Sequence, residues 1–186
     1  MKPALVPKSL ERELKAAIRD IPDFPKKGIM FRDVTTLWKN GPLLRKCNDV
    51  LYRRYKGRKI DAVLGIEARG FVVGAPLAVS LGVGFVPLRK LGKLPGRKVS
   101  ETYDLEYGTA TLEIHTDAIE KGDMTLIVDD LIATGGTALA AAKLVEVLKG
   151  RVAGFAFVVE LSGLKGREAL EGYDIFSVVK YPTEDV

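Results

Sequence analysis

Cysteine and histidine are nearly absent from this sequence, which contains one of each. The single cysteine, Cys47, excludes an internal disulfide and is typical of a reducing compartment, so we expect a cytoplasmic protein. Cys47 falls on the apolar face of a predicted helix, where a buried and inert thiol is expected instead of a nucleophile. His115 falls on the polar side of a predicted strand, which favours a solvated residue over a catalytic base.

We expect no secretion signal, and the sequence contains no internal repeat, linker or low-complexity segment. The apolar run within residues 1–7 is too short for a signal peptide. The stretch 70–88 carries no charge and has the length of a membrane span, but its glycines and prolines favour a buried helix, a turn and a strand. We therefore expect no membrane partner.

Length and charge narrow the class of protein. A chain of 186 residues can bury one α/β core and is too short for two ordinary domains, so we expect a single domain over residues 1–186. The formal net charge of +5 and the sequence pI of about 9.2 fit small polyanionic substrates as well as nucleic acid. Charge alone does not choose between these partners.

Helical and strand patterns alternate along the chain. Ser9 is expected to cap a first helix, and a second helix is expected over residues 42–55. Residues 109–115 alternate in polarity, as a half-exposed strand does. Continuous apolar runs between helical segments indicate an α/β fold whose parallel sheet is covered on both faces; they occur at 62–66, 85–88, 125–128, 152–159 and 175–179.

The most informative segment is residues 125–137, which read Thr-Leu-Ile-Val-Asp-Asp-Leu-Ile-Ala-Thr-Gly-Gly-Thr. An apolar strand is predicted to end on two carboxylates and to continue into a turn before a helix at 138–148. Gly135 and Gly136 permit positive φ and close backbone approach, while Thr134 and Thr137 supply hydroxyls. A turn of this kind at a helix N-terminus is suited to a phosphate.

The carboxylates of this segment, Asp129 and Asp130, repel a phosphate. They suit vicinal sugar hydroxyls, or a Mg²⁺ ion that bridges sugar and phosphate. A strand-to-helix connection without a ligand is the simpler interpretation of the Gly-Gly-Thr turn alone. The whole segment favours a ribose phosphate site.

Two further segments carry charge beside predicted strands. Gly-Ile-Glu-Ala-Arg-Gly-Phe at 65–71 places Arg69 where the sheet's carboxyl edge is expected, although Arg69 could equally form a structural salt bridge. Residues 89–108 show no periodicity, which is typical of a functional lid or of disorder. Arg89, Lys90 and Lys93 follow a strand end, although a solvated charge run is the default interpretation.

Together these motifs resemble those of the type I phosphoribosyltransferases. The resemblance runs from about residue 21 to residue 181: 125–137 is similar to the phosphoribosyl pyrophosphate motif, 65–71 to the pyrophosphate loop, and Leu-Glu-Tyr-Gly at 105–108 to the mobile catalytic loop. Residues 24–33 resemble the part of the family's hood that covers the base. A cis peptide is frequent in the family's pyrophosphate loop, which suggests the Glu67–Ala68 bond. Lys27 stands where the family commonly has proline.

The resemblance implies a fold and a reaction. The fold is a central, mostly parallel sheet flanked by helices, with a small N-terminal hood in about residues 1–40 and a mobile catalytic loop. The reaction, in purine salvage, joins adenine to the phosphoribosyl group of phosphoribosyl pyrophosphate and yields AMP and pyrophosphate, with Mg²⁺ as cofactor. A homodimer is implied, without a nucleic-acid partner.

The resemblance also implies roles for individual residues. Ala133 stands where the related 6-oxopurine enzymes carry an Asp near N7 of the base, so Glu106 is implied as the general acid or base. Tyr107 would lie over the base and ribose. The pyrophosphate contacts would come from Arg69, Arg89, Lys90 and Lys93, in some members across a dimer interface. The 5′-phosphate contacts would come from Ala133, Thr134, Gly135, Gly136 and Thr137.

The base contacts implied by the resemblance lie in the hood and after the acidic pair. Phe31 would stack on adenine opposite Leu131, while the backbone of Met30 and the side chain of Arg32 would recognise the base. Without the resemblance, Phe31 could be an ordinary core residue.

Two alternatives stay open. Purine-responsive transcription regulators share this fold, but they carry an additional DNA-binding domain, which we do not expect in these 186 residues. An enzyme for another base, such as xanthine or orotate, would differ only in the hood.

Overall fold

The computed structural model describes residues 6–104 and 108–182. Glu106 and Tyr107 therefore lie outside the described residues. The helices are α1 (Lys8–Ala17), α2 (Thr35–Lys39), α3 (Gly41–Tyr55), α4 (Arg69–Leu81) and α5 (Gly136–Val147). The strands are β1 (Arg19–Ile21), β2 (Phe31–Asp33), β3 (Ala62–Ile66), β4 (Gly84–Lys90), β5 (Lys98–Asp104), β6 (Thr109–His115), β7 (Met124–Ile132), β8 (Arg151–Leu161) and β9 (Ile175–Tyr181).

Seven of the strands form one sheet in the order β5-β6-β4-β3-β7-β8-β9. Strands β4, β3, β7, β8 and β9 are parallel to one another. At one edge of the sheet, β6 pairs antiparallel with both β4 and β5. Sequence neighbours β3 and β4 are adjacent, but β7 inserts on the other side of β3. The strand order therefore changes direction at β3, which places the ligand-binding crevice of an open α/β sheet beside the ends of β3 and β7.

Apolar residues cover both faces of the sheet, as the continuous apolar runs predict. One core layer joins α1–α4 to the sheet through side chains such as Leu51, Tyr55 and Leu77. The other joins α5 to it through Leu144 and Phe157. Each fully buried side chain of this size stabilises the fold by about 1.5–3 kcal/mol relative to exposure. The two layers hold the strand ends in fixed positions.

Two short strands outside the main sheet form the hood. Strands β1 and β2 pair antiparallel, with Arg19 opposite Asp33. The carboxylate of Asp33 accepts hydrogen bonds from the Thr35 backbone N–H at 2.9 Å and from Arg19 Nε at 3.1 Å. These contacts, with that to the Thr35 hydroxyl foremost, lower the pKa of Asp33 to about 2. Asp33 thus ties both hood strands to the start of α2.

Several local expectations are wrong. Helix α1 begins at Lys8 after Pro7, so Ser9 lies within the helix and makes no cap. Residues 98–104 form a strand, although the sequence predicts no regular structure there. This strand pairs with β6 at the edge and alternates between exposed and half-buried residues, so an apolar stripe is lacking. No helix among the described residues is long and apolar enough to cross a bilayer.

Candidate active site

The candidate site is the carboxyl edge of the sheet, which we define as residues 66–70 and 128–137. Strand β7 pairs with β3 only as far as Gly65 and Val128, but it continues beside β8 to Ile132. The expectation that this strand ends on its carboxylates is therefore wrong, because Asp129 and Asp130 lie within it. Beyond Val128, the side of β7 vacated by β3 is open to a ligand.

Arg69 occupies part of that opening. Its Nε donates to Asp130 Oδ2 at 2.5 Å, with the Arg69 side chain 48% exposed and that of Asp130 only 4% exposed. Asp129 Oδ1 accepts from the backbone N–H of Asp130 at 2.8 Å. Burial, and then the adjacent Asp130 carboxylate, raises the pKa of Asp129 well above its ordinary value. Asp130 therefore pairs directly with Arg69, whereas Asp129 accepts from the backbone of Asp130.

A glycine sets the position of Arg69. A Cβ on Gly70 would lie 2.8 Å from the carbonyl oxygen of Val128 and 3.1 Å from Asp129 Oδ1. Only a residue without a side chain lets the first turn of α4 rest against β7. The predicted cis peptide at Glu67–Ala68 is present just before this turn.

The turn between β7 and α5 is held by backbone packing. Gly135 precedes the helix with a φ of 85°, and its Cβ would lie 2.5 Å from the carbonyl oxygen of Gly166. A Cβ on Gly166 would in turn lie 2.3 Å from the carbonyl oxygen of Ala133. Gly136 begins α5 and, unlike Gly135, does not adopt positive φ. The helix start at Gly136, two residues earlier than predicted, presents unpaired N–H groups to an anion.

Two adjoining cavities meet at the acidic pair. The larger has a volume of about 590 Å³ and the smaller about 210 Å³, and both are lined by Arg69, Asp129, Asp130 and Thr137. The larger one is within the range of small-molecule sites. Its other lining residues are Ile66, Glu67, Ala68, Lys90, Leu91, Tyr103, Thr109, Ala110 and Thr111. The smaller one adds Leu131, Ile132, Ala133, Thr134, Gly135, Ala138 and Phe157.

Arg89 and Lys93, although described, line neither cavity. Both contact Glu67, whose Oε2 accepts from Arg89 Nε at 3.0 Å and whose Oε1 accepts from Lys93 Nζ at 3.0 Å. Burial alone would raise the pKa of Glu67, but these donors and the Lys90 backbone N–H lower it to about 2. Glu67 was missed as a candidate residue, although its position in the segment with Arg69 could have pointed to it.

The hood reaches the carboxyl edge through Phe31. Its ring centroid lies 6.0 Å from Arg69 Cζ and 5.1 Å from the ring of Phe24, in an edge-on arrangement. Met30 is half-buried and lines neither cavity. Of the three groups predicted to contact the base, the Phe31 ring lies next to a residue of the candidate site, Arg69.

Arg32 lies in a different environment. Its guanidinium lies 4.2 Å from the ring centroid of Tyr181, and its Nη1 pairs with Asp20 Oδ1 at 2.6 Å. This side chain is 6% exposed and lines neither cavity. The structure does not place the Arg32 side chain where the sequence prediction needs it, because neighbouring residues of a strand face opposite sides.

The described residues offer few ligands for a metal. Among residues 6–104 and 108–182, no group of three or more His, Cys, Asp or Glu side chains is placed to hold an ion. Asp129 and Asp130 are a pair of carboxylates beside the cavity where a phosphorylated sugar would lie. Mg²⁺ commonly binds one or two carboxylates together with substrate phosphates, so this pair fits an ion held mainly by the substrate.

Comparison with known proteins identifies the family. Residues 33–183 match the family model of the phosphoribosyl transferase domain. An adenine phosphoribosyltransferase of Desulfitobacterium hafniense is 56% identical over 164 residues, which cover 88% of this chain and 95% of the relative. The chain belongs to the phosphoribosyltransferase family, among its adenine phosphoribosyltransferases.

Solved structures of adenine phosphoribosyltransferases share the fold. That from Thermoanaerobacter pseudethanolicus is 53% identical, covers 92% of this chain and 99% of its own, and has a TM-score of 0.89. The enzyme from Saccharomyces cerevisiae, complexed with an imino-altritol bisphosphate and adenine, is 45% identical with a TM-score of 0.86; the match covers 91% of this chain and 98% of that one. The predicted family and fold class are confirmed.

Proposed function

We propose that this protein transfers the phosphoribosyl group of phosphoribosyl pyrophosphate to N9 of adenine, producing AMP and pyrophosphate in purine salvage. The observation that carries the proposal is the meeting of two cavities at Arg69, Asp129 and Asp130, directly before a glycine turn at a helix N-terminus. The near full-length relatives that bear this activity in their names support it.

The substrate's three polar parts have matching partners. The turn of residues 133–137 binds the 5′-phosphate through backbone N–H groups and the hydroxyls of Thr134 and Thr137. Asp129 and Asp130 bind the ribose hydroxyls or their Mg²⁺ ion. Arg69 and Lys90 bind the pyrophosphate, and Asp130 pairs with Arg69 beside it.

The reaction makes one bond and breaks one at C1′ of the ribose. N9 of adenine attacks C1′, and the bond to the pyrophosphate oxygen breaks with its electron pair leaving on pyrophosphate. When bound, Mg²⁺ neutralises part of the charge that develops on this leaving group. Arg69 stabilises the same charge by hydrogen bonds aimed at it. The proton lost by adenine passes to Glu106, the proposed general base.

Adenine is recognised between the hood and β7. Phe31 stacks on the base opposite Leu131, and the backbone at Met30 pairs with its polar edge. The support is the position of the Phe31 ring beside Arg69 and the place of Leu131 in the smaller cavity. Ala133 lacks the carboxylate that the 6-oxopurine enzymes use near N7, which favours adenine. Arg32 contributes by packing β2 against Tyr181.

The proposed enzyme is a homodimer in the cytoplasm. Residues 1–186 form a single domain, with about residues 1–40 as hood, in a cytoplasmic homodimer that binds neither nucleic acid nor membrane. Arg89 and Lys93 contact pyrophosphate from the rim of the site. Both lie outside the two cavities of the candidate site, which supports a contribution to the site of the second subunit.

A panel of free bases tests the function. Pyrophosphate release is followed with phosphoribosyl pyrophosphate, Mg²⁺ and adenine, hypoxanthine, guanine, xanthine or orotate. Polar mismatches discriminate between substrates by roughly 10⁴-fold, so only adenine should react appreciably. Comparable kcat/KM for adenine and hypoxanthine would overturn the base assignment. Binding of phosphoribosyl pyrophosphate without turnover of any base would instead point to a regulator.

A further inference from the structure

Glu67 is the centre of a cluster that the proposed reaction leaves unexplained. Its Oε2 accepts from Arg89 Nε at 3.0 Å and from the Lys90 backbone N–H at 2.8 Å, while Oε1 accepts from Lys93 Nζ at 3.0 Å. One carboxylate thus binds the last two residues of β4, Arg89 and Lys90, and also Lys93 just beyond the strand. It also lines the larger cavity beside Arg69.

The Glu67 side chain is more buried than the two cations that it binds, which indicates that the carboxylate fixes the cations. The Glu67 side chain is 8% exposed, whereas those of Arg89 and Lys93 are 30% and 55% exposed. Arg89 uses only Nε in this contact, and an ammonium has three protons to donate. The anion is therefore held inside while most donors of both cations remain on the accessible side.

The net charge of the cluster determines whether pyrophosphate can bind next to the Glu67 carboxylate. A lone carboxylate beside the cavity would repel pyrophosphate. Two cations pair with one anion here, so the cluster keeps a net positive charge of one. Charge-assisted hydrogen bonds to a buried carboxylate restrict flexible side chains far more than solvent-exposed pairs do.

We infer that Glu67 is a positioning residue for the pyrophosphate end of phosphoribosyl pyrophosphate: it fixes the Arg89 and Lys93 side chains by ion pairs and holds the backbone at Lys90 against the loop before α4. The inference rests on the proposed function. The cluster forms within one chain, so it sets the direction of these cations whether they serve this site or a second subunit's. Glu67 itself makes no contact with the reacting atoms.

Positioning and simple electrostatics predict opposite results for Glu67→Gln. If the carboxylate acted only through its charge, its removal would add one positive charge to the cluster and tighten pyrophosphate binding. If it positions the cations, its removal weakens binding by about tenfold or more, since Arg89 and Lys93 lose the charge-assisted hydrogen bonds that hold them. The sign of the change distinguishes the two roles.

The experiment compares ligands that include or lack the pyrophosphate part. Wild-type protein and Glu67→Gln are titrated calorimetrically with inorganic pyrophosphate in excess Mg²⁺ and, separately, with AMP. Pyrophosphate affinity and 1/KM for phosphoribosyl pyrophosphate should both fall about tenfold or more in the variant. AMP affinity and the KM for adenine should change by less than about twofold, because neither ligand reaches the cluster. Unchanged or tighter pyrophosphate binding would overturn the inference.

Further variants separate position from charge and from folding. Glu67→Asp keeps the charge but shortens the side chain, so it should also weaken pyrophosphate binding; wild-type affinity would refute positioning. In a double-mutant cycle, Glu67→Gln with Lys93→Met should lose less than the sum of the single effects. Additive losses would count against the inference. The matched control is Glu13→Gln, which breaks an exposed ion pair with Lys46 and should leave pyrophosphate binding unchanged.

Two outcomes keep this test distinct from that of the proposed function. A wild-type protein that binds pyrophosphate but does not use adenine would remove the base assignment and leave the Glu67 comparison measurable. If Glu67→Gln does not fold, Lys93→Met alone replaces it: weaker pyrophosphate binding with intact AMP binding is expected, and unaltered pyrophosphate binding would refute the role of the cluster.

Discussion

The carboxyl edge and the hood are held in place by different forces. At the carboxyl edge, Gly70 and Gly135 let backbone segments approach so closely that any Cβ would collide with a carbonyl oxygen. In the hood, strands β1 and β2 are joined by ion pairs of Asp33 with Arg19 and of Asp20 with Arg32, in each of which one partner is more than half exposed. Close packing leaves no space for an added side chain, whereas ion pairs with one exposed partner are screened by salt and depend on pH. The carboxyl edge, which we propose to bind the phosphoribosyl group, should therefore tolerate fewer substitutions than the hood, which we propose to bind the base.

The largest effect is expected from substitution of the acidic pair, Asp129 and Asp130, at the carboxyl edge. Replacement of Asp129 and Asp130 together by Asn removes the groups proposed to bind the ribose hydroxyls or their metal ion, while the shape of β7 is kept. Turnover should fall by on the order of a hundredfold or more, with thermal stability retained. Steady-state kinetics and thermal unfolding measure the two quantities. Full activity in the double variant would remove the pair from the site.

A comparison of two glycines isolates close packing at the carboxyl edge. Gly135 and Gly172 have φ values of 85° and 90°, but only a Cβ on Gly135 meets another atom, 2.5 Å away. Both Ala variants share a backbone strain of roughly 1 kcal/mol. Gly135→Ala should in addition displace the phosphate turn and weaken AMP binding by about tenfold or more. Calorimetry with AMP checks this, and equal affinity of both variants would show that the packing at Gly135 is unimportant.

The same contrast explains what could be predicted from the sequence. The residues of the turn at 133–137 are consecutive, and the pattern of apolar strand, carboxylates and glycines directly predicts a phosphate site there. The larger cavity could not be foreseen, since strand β5 is polar and becomes ordered only by pairing with β6. The side-chain directions of Arg32, Arg89 and Lys93 depend on partners distant in the sequence, which no local pattern specifies.

Substitution of Phe31 tests whether the hood affects the binding of adenine without affecting that of phosphoribosyl pyrophosphate. Phe31→Ala removes the proposed stacking surface, and base–aromatic stacking contributes about 1–3 kcal/mol, so the KM for adenine should rise by about tenfold. The KM for phosphoribosyl pyrophosphate should change little, since the hood does not form the phosphate turn. Arg32→Ala serves as the comparison, because it loosens β2 without removing the ring. If both substrates lost affinity equally, the hood and the carboxyl edge would not be separable.

Acid stability measures the electrostatic part of the hood and should give the smallest effect. The pKa of Asp33 is lowered to about 2 in the folded protein from 3.8, mainly by hydrogen bonds from Thr35 and Arg19. A carboxyl with a depressed pKa stabilises the fold above its unfolded pKa, and this contribution is lost as pH falls from 3.8 toward 2. The melting temperature of the wild type should therefore decline more steeply across this interval than that of Asp33→Asn, by a few degrees. Because Glu67 has a similarly depressed pKa and is unchanged in that variant, part of the wild-type decline should persist. Parallel curves for the two proteins would mean that the hood is held by packing, as the carboxyl edge is.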